Sequence, residues 1–124
     1  MENTYDIVIV GAGPAGMTAA IYAIRANMKV LMLDRLAPGG AIINTNEIEN
    51  YTGAGKLTGA ELAIKMFEHT QELGVEFDYR TVIDLIDEGE WKTVVCEEDD
   101  AVYRAKAVIL ATGTVPRRLG VPGE

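Results

Sequence analysis

Tyr5-Asp6-Ile7-Val8-Ile9-Val10-Gly11-Ala12-Gly13-Pro14-Ala15-Gly16 is the stretch whose reading decides the fold. Its first half is a β-branched, largely apolar run bounded by glycine, which predicts a strand buried on both faces, as in a parallel sheet. Pro14 suits the first turn of a helix, where its missing N–H removes no intrahelical bond. Small and apolar residues at helical spacing continue to Asn27, and Gly16, Ala20 and Ala23 share one face, which suits close packing on a sheet. Lys29 to Leu33 reads as a second buried strand that ends at Asp34. Strand, helix and strand over about thirty residues make a βαβ unit.

Between the first strand and the helix, Gly11 to Gly16 spell G-x-G-x-x-G. Gly11 permits a tight turn, Gly13 lets backbone approach a pyrophosphate, and Gly16 lets the helix lie close to the sheet. The helix N-terminus adds free N–H groups and a partial positive charge for the phosphates. Asp34, eighteen residues beyond Gly16, is placed to accept hydrogen bonds from ribose hydroxyls and repels a 2′-phosphate. That favours FAD or NAD over NADP at this site, without separating the first two. Arg35 beside it either stacks on adenine or faces solvent.

Outward from this unit, Ala37 to Gly55 is rich in Gly, Asn and Thr and reads as an extended loop, long enough to be a binding loop. Thr58 to Leu73 is predicted to be a helix. Thr58 and Glu61 have capping-box spacing, Leu62, Met66 and Leu73 form an apolar stripe, and Gly74 ends it. His69 on that helix has no ligand partner at metal spacing and reads as solvated or half-buried. From Val75 the period changes. Val75–Phe77, Thr81–Ile86, Trp91–Cys96 and Ala101–Ala105 are short strand runs separated by acidic turns, and they predict an antiparallel meander, separate from the parallel core, rather than another βαβ. Lys106 to Leu110 returns to a buried run that enters Ala111-Thr112-Gly113. Val115 to Glu124, with Pro116, Gly120, Pro122 and Gly123, has linker chemistry.

The bulk properties narrow the choices of partner. The 124 residues suffice for one domain, with 48% hydrophobic and 24% charged residues, as in a soluble globular chain. A net charge of −8 repels phosphate backbones and anionic lipid, so neither nucleic acid nor membrane is an expected partner. No apolar run reaches the roughly 18 residues of a membrane span, and the N-terminus lacks the basic segment of a secretory signal. Cys96 stands alone, without an internal disulfide or a metal site, and its Val94-Val95 neighbours place it in a strand as a buried, inert thiol. A cytoplasmic setting follows. No metal ligands are expected.

The order of parts, a βαβ start, a meander and then the run into Ala111-Thr112-Gly113, is that of flavoproteins with two dinucleotide-binding domains. Within that group the chain resembles bacterial low-molecular-weight thioredoxin reductase from end to end. The resemblance rests on Tyr5–Gly16, Ala19-Ala20-Ile21-Tyr22-Ala23, Arg25-Ala26-Asn27, Pro38-Gly39-Gly40, Glu47-Ile48-Glu49-Asn50-Tyr51, Ala111-Thr112-Gly113 and Leu119 to Glu124. The glycine motif and Ala-Thr-Gly are shared widely; the Glu-Ile-Glu-Asn-Tyr block after Pro-Gly-Gly is more specific. It is shared with the flavoprotein subunit of alkyl hydroperoxide reductase.

The resemblance implies an α/β, Rossmann-like FAD/NAD(P)-binding fold, with a parallel central sheet plus an antiparallel three-stranded β-meander. Residues 1–124 would be the N-terminal part of a discontinuous FAD-binding domain. Gly11, Ala12, Gly13, Pro14, Ala15 and Gly16 would hold the FAD pyrophosphate, and Asp34, with Arg35 beside it, the adenosine ribose. Gly39 and Gly40 would let backbone approach the flavin side, with Thr45 and Asn50 as polar contacts. Val82, or its neighbour Ile83, would meet adenine, and Ala111, Thr112 and Gly113 would close over the cofactor. One departure stands out: the family's glutamine after Pro-Gly-Gly is Ala41 here, so a side-chain contact is lost or is supplied by Asn44.

The implied activity is thioredoxin-disulfide reduction, from NADPH to FAD to a redox disulfide to thioredoxin or a related thiol protein, in a homodimer. The NADPH domain and the C-x-x-C pair would follow Glu124, so no catalytic residue is expected in these 124 residues, which alone would be inactive. The alternatives are the alkyl hydroperoxide reductase subunit, a thioredoxin-reductase-like flavin reductase, and a non-catalytic nucleotide-binding segment. A bulky residue at Gly13 is expected to weaken FAD binding more than Asp34→Asn, whose carbonyl would still serve the ribose.

Overall fold

The apolar run that opens the chain forms β1 (Thr4–Val10), and the glycine motif turns it into α1 (Pro14–Arg25) and then β2 (Val30–Asp34). After a 3-10 turn (Gly40–Asn44) come α2 (Gly59–Glu72), β3 (Glu76–Tyr79), β4 (Val82–Asp87), β5 (Lys92–Cys96), a short 3-10 turn (Glu98–Asp100) and β6 (Val102–Leu110). The structure is a computed structural model that describes residues 3–115 and 117–123. Met1, Glu2, Pro116 and Glu124, on which parts of the N-terminal and linker readings rest, lie outside the described residues.

All six strands form one sheet in the order β3-β2-β1-β6-β5-β4. β1 pairs in parallel with β2 and β6, and β2 with β3. The expected parallel core and three-stranded meander are both present, the latter built from β4, β5 and the first half of β6. Three details of the sequence reading are corrected. The run beginning at Val75 is not part of the meander: β3 is parallel to β2, and α2 is the crossover of a second βαβ unit. As the sheet's edge, β3 is only partly buried, which gives it the broken pattern of an antiparallel strand. Ala101–Ala105 and Lys106–Leu110 are one strand, β6; its pattern changes along its length because its first half pairs with β5 while most of its length lies beside β1. For the same reason the meander is continuous with the core rather than separate.

The two faces of the sheet are filled differently. On one, α1 sets Gly16, Met17, Ala20 and Ala23 against Ile9, Val30 and Met32, with the edge-on Phe67–Phe77 pair extending this layer to α2 and β3. On the other, Val94 and Cys96 of β5 and Tyr103 and Ala105 of β6 join Tyr5, Val8, Leu31 and Leu33. Each large side chain fully buried there contributes about 1.5–3 kcal/mol. The Tyr103 hydroxyl donates to Asp78 Oδ2 of β3 at 3.1 Å. In a flat sheet β6 and β3 would be about 14 Å apart, three strand spacings, so the meander curls back over the face opposite the helices. Cys96 is buried there, as expected, and burial pushes its thiol pKa up.

The capping box of α2 forms as read: Glu61 N–H donates to Thr58 Oγ1 at 3.1 Å, and Thr58 N–H to Glu61 Oε1 at 2.8 Å. Thr58→Ala is expected to lower stability by about 1 kcal/mol, measured by urea unfolding, with no effect on ligand binding. The stripe on this helix differs in one member. Leu73 is exposed, while Thr70 is fully buried, its hydroxyl donating to the Phe67 carbonyl at 2.7 Å. His69 is exposed. The stretch from Ala37 to Gly55 is more ordered than a plain loop, because the 3-10 turn and an Ile48–Leu57 bridge fold it and bury Ile48. Among the described residues no helix is long and apolar enough to cross a membrane.

Candidate functional site

The chain builds β1, β2 and β3 outward in one direction and then returns to lay β6 on the other side of β1. Where the strand order reverses, the loops leaving the carboxyl ends of the strands diverge and open a crevice. A cleft of about 290 Å³ lies there, lined by Val10, Gly11, Leu33, Asp34, Arg35, Arg80, Thr81, Val82 and Thr112. The Ala111 N–H donates to the Val10 carbonyl at 2.8 Å, which keeps the ends of β1 and β6 together at the rim.

The three motif glycines meet different demands. Gly11 has φ +113°, and a Cβ there would lie 2.0 Å from the Ala111 carbonyl oxygen. A Cβ on Gly16 would lie 1.9 Å from the Gly11 carbonyl oxygen. Both are therefore required by the fold. Gly13 is not: its φ is −79°, and the nearest atom to an added Cβ is the Gly40 Cα at 3.7 Å. Gly13 also begins α1, which has no side-chain cap and no acidic residue in its first turn, whereas α2 has both. The positive end of α1 thus has no side-chain partner within its own first turn.

A second glycine loop rests on the first. Gly39 N–H donates to the Ala12 carbonyl at 2.8 Å, and a Cβ on Gly40 would lie 3.2 Å from the Gly13 Cα. Asp34, at the end of β2, is tied into the same structure. Its Oδ2 accepts from Ala12 N–H at 2.8 Å and its Oδ1 from Leu36 N–H at 3.1 Å. Its carbonyl accepts from Arg80 N–H at 3.0 Å, joining β2 to the opposite wall.

That wall is Arg80-Thr81-Val82. The Arg80 Nε donates to Asp78 Oδ2 and to the Tyr103 hydroxyl, both at 3.2 Å, and an Nη1 bond reaches Asp99 Oδ2 at 3.1 Å. Thr81 gives its N–H to Glu98 Oε1 and its hydroxyl to Glu98 Oε2, each at 2.7 Å. The Thr81 N–H and then its hydroxyl hold the Glu98 carboxyl below its ordinary pKa.

Of the residues expected to hold a cofactor, Gly11, Asp34, Arg35, Val82 and Thr112 line the cleft. Ala12, Gly13, Pro14, Ala15 and Gly16 continue directly from its floor into α1, Gly39 and Gly40 lie on that turn, and Ala111 and Gly113 flank Thr112. Ala41, Thr45 and Asn50 are exposed and not among the lining residues. Thr45 acts through its backbone, its carbonyl accepting from Gly59 N–H at 2.8 Å where α2 begins. The sequence reading missed Arg80 and Thr81. Their only signal is position, directly before Val82 and next to the acidic Asp78.

Comparison with known proteins agrees with this architecture. Residues 5–124 match the family described as pyridine nucleotide-disulphide oxidoreductase. The chain belongs to this family. It is 47% identical over 123 residues to the thioredoxin reductase of Bacillus subtilis strain 168, covering 99% of this chain and 38% of that protein. It is 45% identical, over 99% of its own length and 40% of the other, to a Clostridium pasteurianum protein described as a 34.2 kDa protein in the rubredoxin operon. The solved thioredoxin reductase of Lactococcus lactis, in its FR conformation, superposes with a TM-score of 0.90 at 48% identity, over 97% of this chain and 39% of that one. A ferredoxin-flavin thioredoxin reductase from Clostridium acetobutylicum gives 0.80 at 30% identity, over 93% and 39%. The chain therefore spans about two fifths of the length of the relatives it matches. Its Rossmann-like sheet with a curled antiparallel extension is the fold of this oxidoreductase family.

Proposed function

We propose that these residues are the N-terminal, FAD-holding part of a thioredoxin-disulfide reductase. The observation that carries the reading is Gly13. The chain itself leaves room for a side chain there, so the need for glycine lies in what approaches the uncapped start of α1. A pyrophosphate fits that position by charge and by the N–H groups on offer. Gly11 to Gly16 would hold it, with Gly39 and Gly40 close by. Asp34 and Arg35 would meet the ribose and adenine side, Val82 would form the facing wall, and Ala111, Thr112 and Gly113 would close the rim. Thr45, Asn50 and Ala41 would face the flavin side. When bound, FAD supplies a carrier that accepts hydride and passes electrons to a disulfide. The chain's own residues bind and orient it.

The whole enzyme is read as a cytoplasmic homodimer that takes electrons from NADPH and reduces thioredoxin. The likeness to a ferredoxin-flavin reductase keeps a second donor in view, and supplying NADPH or reduced ferredoxin to the intact enzyme, with thioredoxin as acceptor, decides between them. For residues 1–124 alone, the expected result is FAD binding seen by quenching of flavin fluorescence, with ADP as competitor and no NADPH-driven disulfide reduction. Failure to bind both FAD and ADP would overturn the reading.

A further inference from the structure

We propose that Glu98 is a positioning residue for the adenosine side of the cofactor, fixing through Thr81 the segment that walls the cleft; this rests on the FAD reading above. The wall needs such a fixture. Arg80 and Thr81 are the two residues between β3 and β4, at the point where the chain leaves the parallel core for the meander. Arg80 is held by β2 and β3 and Val82 by the core, but beyond Val82 packing gives out: every later residue of β4 is exposed, and the β4–β5 register shifts between Val82 and Asp84. For Thr81 the turn between β5 and β6 supplies the hold. Thr81 is bound at all three of its polar groups: Glu98 takes the N–H and the hydroxyl, and Glu97 N–H donates to its carbonyl at 2.9 Å. In the same turn Asp99 meets Arg80, and Asp99 and Asp100 hold left-handed backbone, φ 58° and 51°, which aspartate tolerates in tight turns.

A carboxylate matches this geometry: two donors converge on its two oxygens, whereas an alanine in its place leaves both without their acceptor. The wall these bonds set stands opposite Gly11 and beside Asp34, where the adenosine of a dinucleotide on the G-x-G-x-x-G motif belongs. Loss of the Glu98 bonds should therefore weaken every ligand that carries adenosine, and weaken them alike.

The test measures FAD by fluorescence quenching and ADP by competition, on the full chain, at a temperature where thermal unfolding shows each variant folded. Glu98→Ala is expected to lower both affinities by about tenfold, the effect of leaving both Thr81 donors without their acceptor. Thr81→Val, which loses only the hydroxyl bond, should fall by less, and Thr81→Ser, which keeps both, should bind as wild type. Glu97→Gln removes the same charge one residue away while leaving the Thr81 bonds intact, and should change nothing. Wild-type affinity in Glu98→Ala, or a loss for FAD without a loss for ADP, would overturn the role. If Glu98→Ala does not fold, equal affinity in Thr81→Val and Thr81→Ser overturns it. A wild-type chain that binds neither ligand removes the cofactor reading itself, a different result from any of these.

Discussion

Gly16→Ala and Gly11→Ala are each expected to destabilise the chain by about 3 kcal/mol or more, while Gly13→Ala leaves stability within about 1 kcal/mol of wild type. The alanine methyl at position 16 would sit 1.9 Å from the Gly11 carbonyl oxygen, a backbone atom with no rotamer to escape into. Relief requires α1 to lift from the sheet, opening the layer in which Ile9, Met17 and Met32 are buried. At position 11 the clash is with the Ala111 carbonyl at 2.0 Å, and φ +113° adds backbone strain. Gly13→Ala meets only the Gly40 Cα at 3.7 Å. Its cost should appear in binding, as at least a tenfold loss of FAD affinity, because the methyl enters the space assigned to the pyrophosphate. Urea unfolding of the three variants, with FAD titration of those that fold, checks the division. Gly13→Ala as unstable as Gly16→Ala would mean that the whole motif serves the fold. Wild-type FAD affinity in Gly13→Ala would remove the observation on which the cofactor assignment stands.

The same three glycines show what the sequence could and could not express. Strand, turn and helix were legible from Tyr5 to Gly16 because each residue type there answers a local demand: β-branching for the buried strand, glycine for the turn, Pro14 for the first helical turn. Thr58 and Glu61 marked the start of α2 for the same reason, since a capping box closes within four residues. Illegible was everything set by distant neighbours. β3 looked antiparallel because an edge strand is half exposed whichever way its one neighbour runs. β6 looked like two strands because its two halves answer to different partners. The cleft was half legible. Gly11, Asp34 and Thr112 lie at or just past strand ends, and a motif can name them. Arg80 and Thr81 line it because β3 ends beside β2 and the β5–β6 turn folds back to meet them, and no short-range pattern in the chain encodes either contact.

Asp34→Asn is expected to cost about 1–3 kcal/mol in stability, although the two side chains are nearly the same size. Read from sequence, the exchange looks mild, since the amide keeps a carbonyl for the ribose. In the structure that carbonyl already has claimants. Ala12 N–H donates to one carboxylate oxygen at 2.8 Å and Leu36 N–H to the other at 3.1 Å. An asparagine satisfies one of them and turns its NH₂ on the other, in either orientation. Ala12 is fully buried, so water does not readily replace its lost acceptor. Flipping the amide to favour Ala12 sets Leu36 free and loosens the chain leaving β2. The order of the two replacements should thus depend on the readout: Gly13→Val remains the worse for FAD affinity, and Asp34→Asn the worse for stability. Asp6→Asn is the control. Asp6 accepts one such bond, from Lys29 N–H at 2.8 Å, which an amide can keep by presenting its carbonyl. Paired urea unfolding should find Asp6→Asn within about 0.5 kcal/mol of wild type. If Asp34→Asn is equally silent, Asp34 does not hold the glycine turn in solution, and its carboxylate is free to serve a ligand alone.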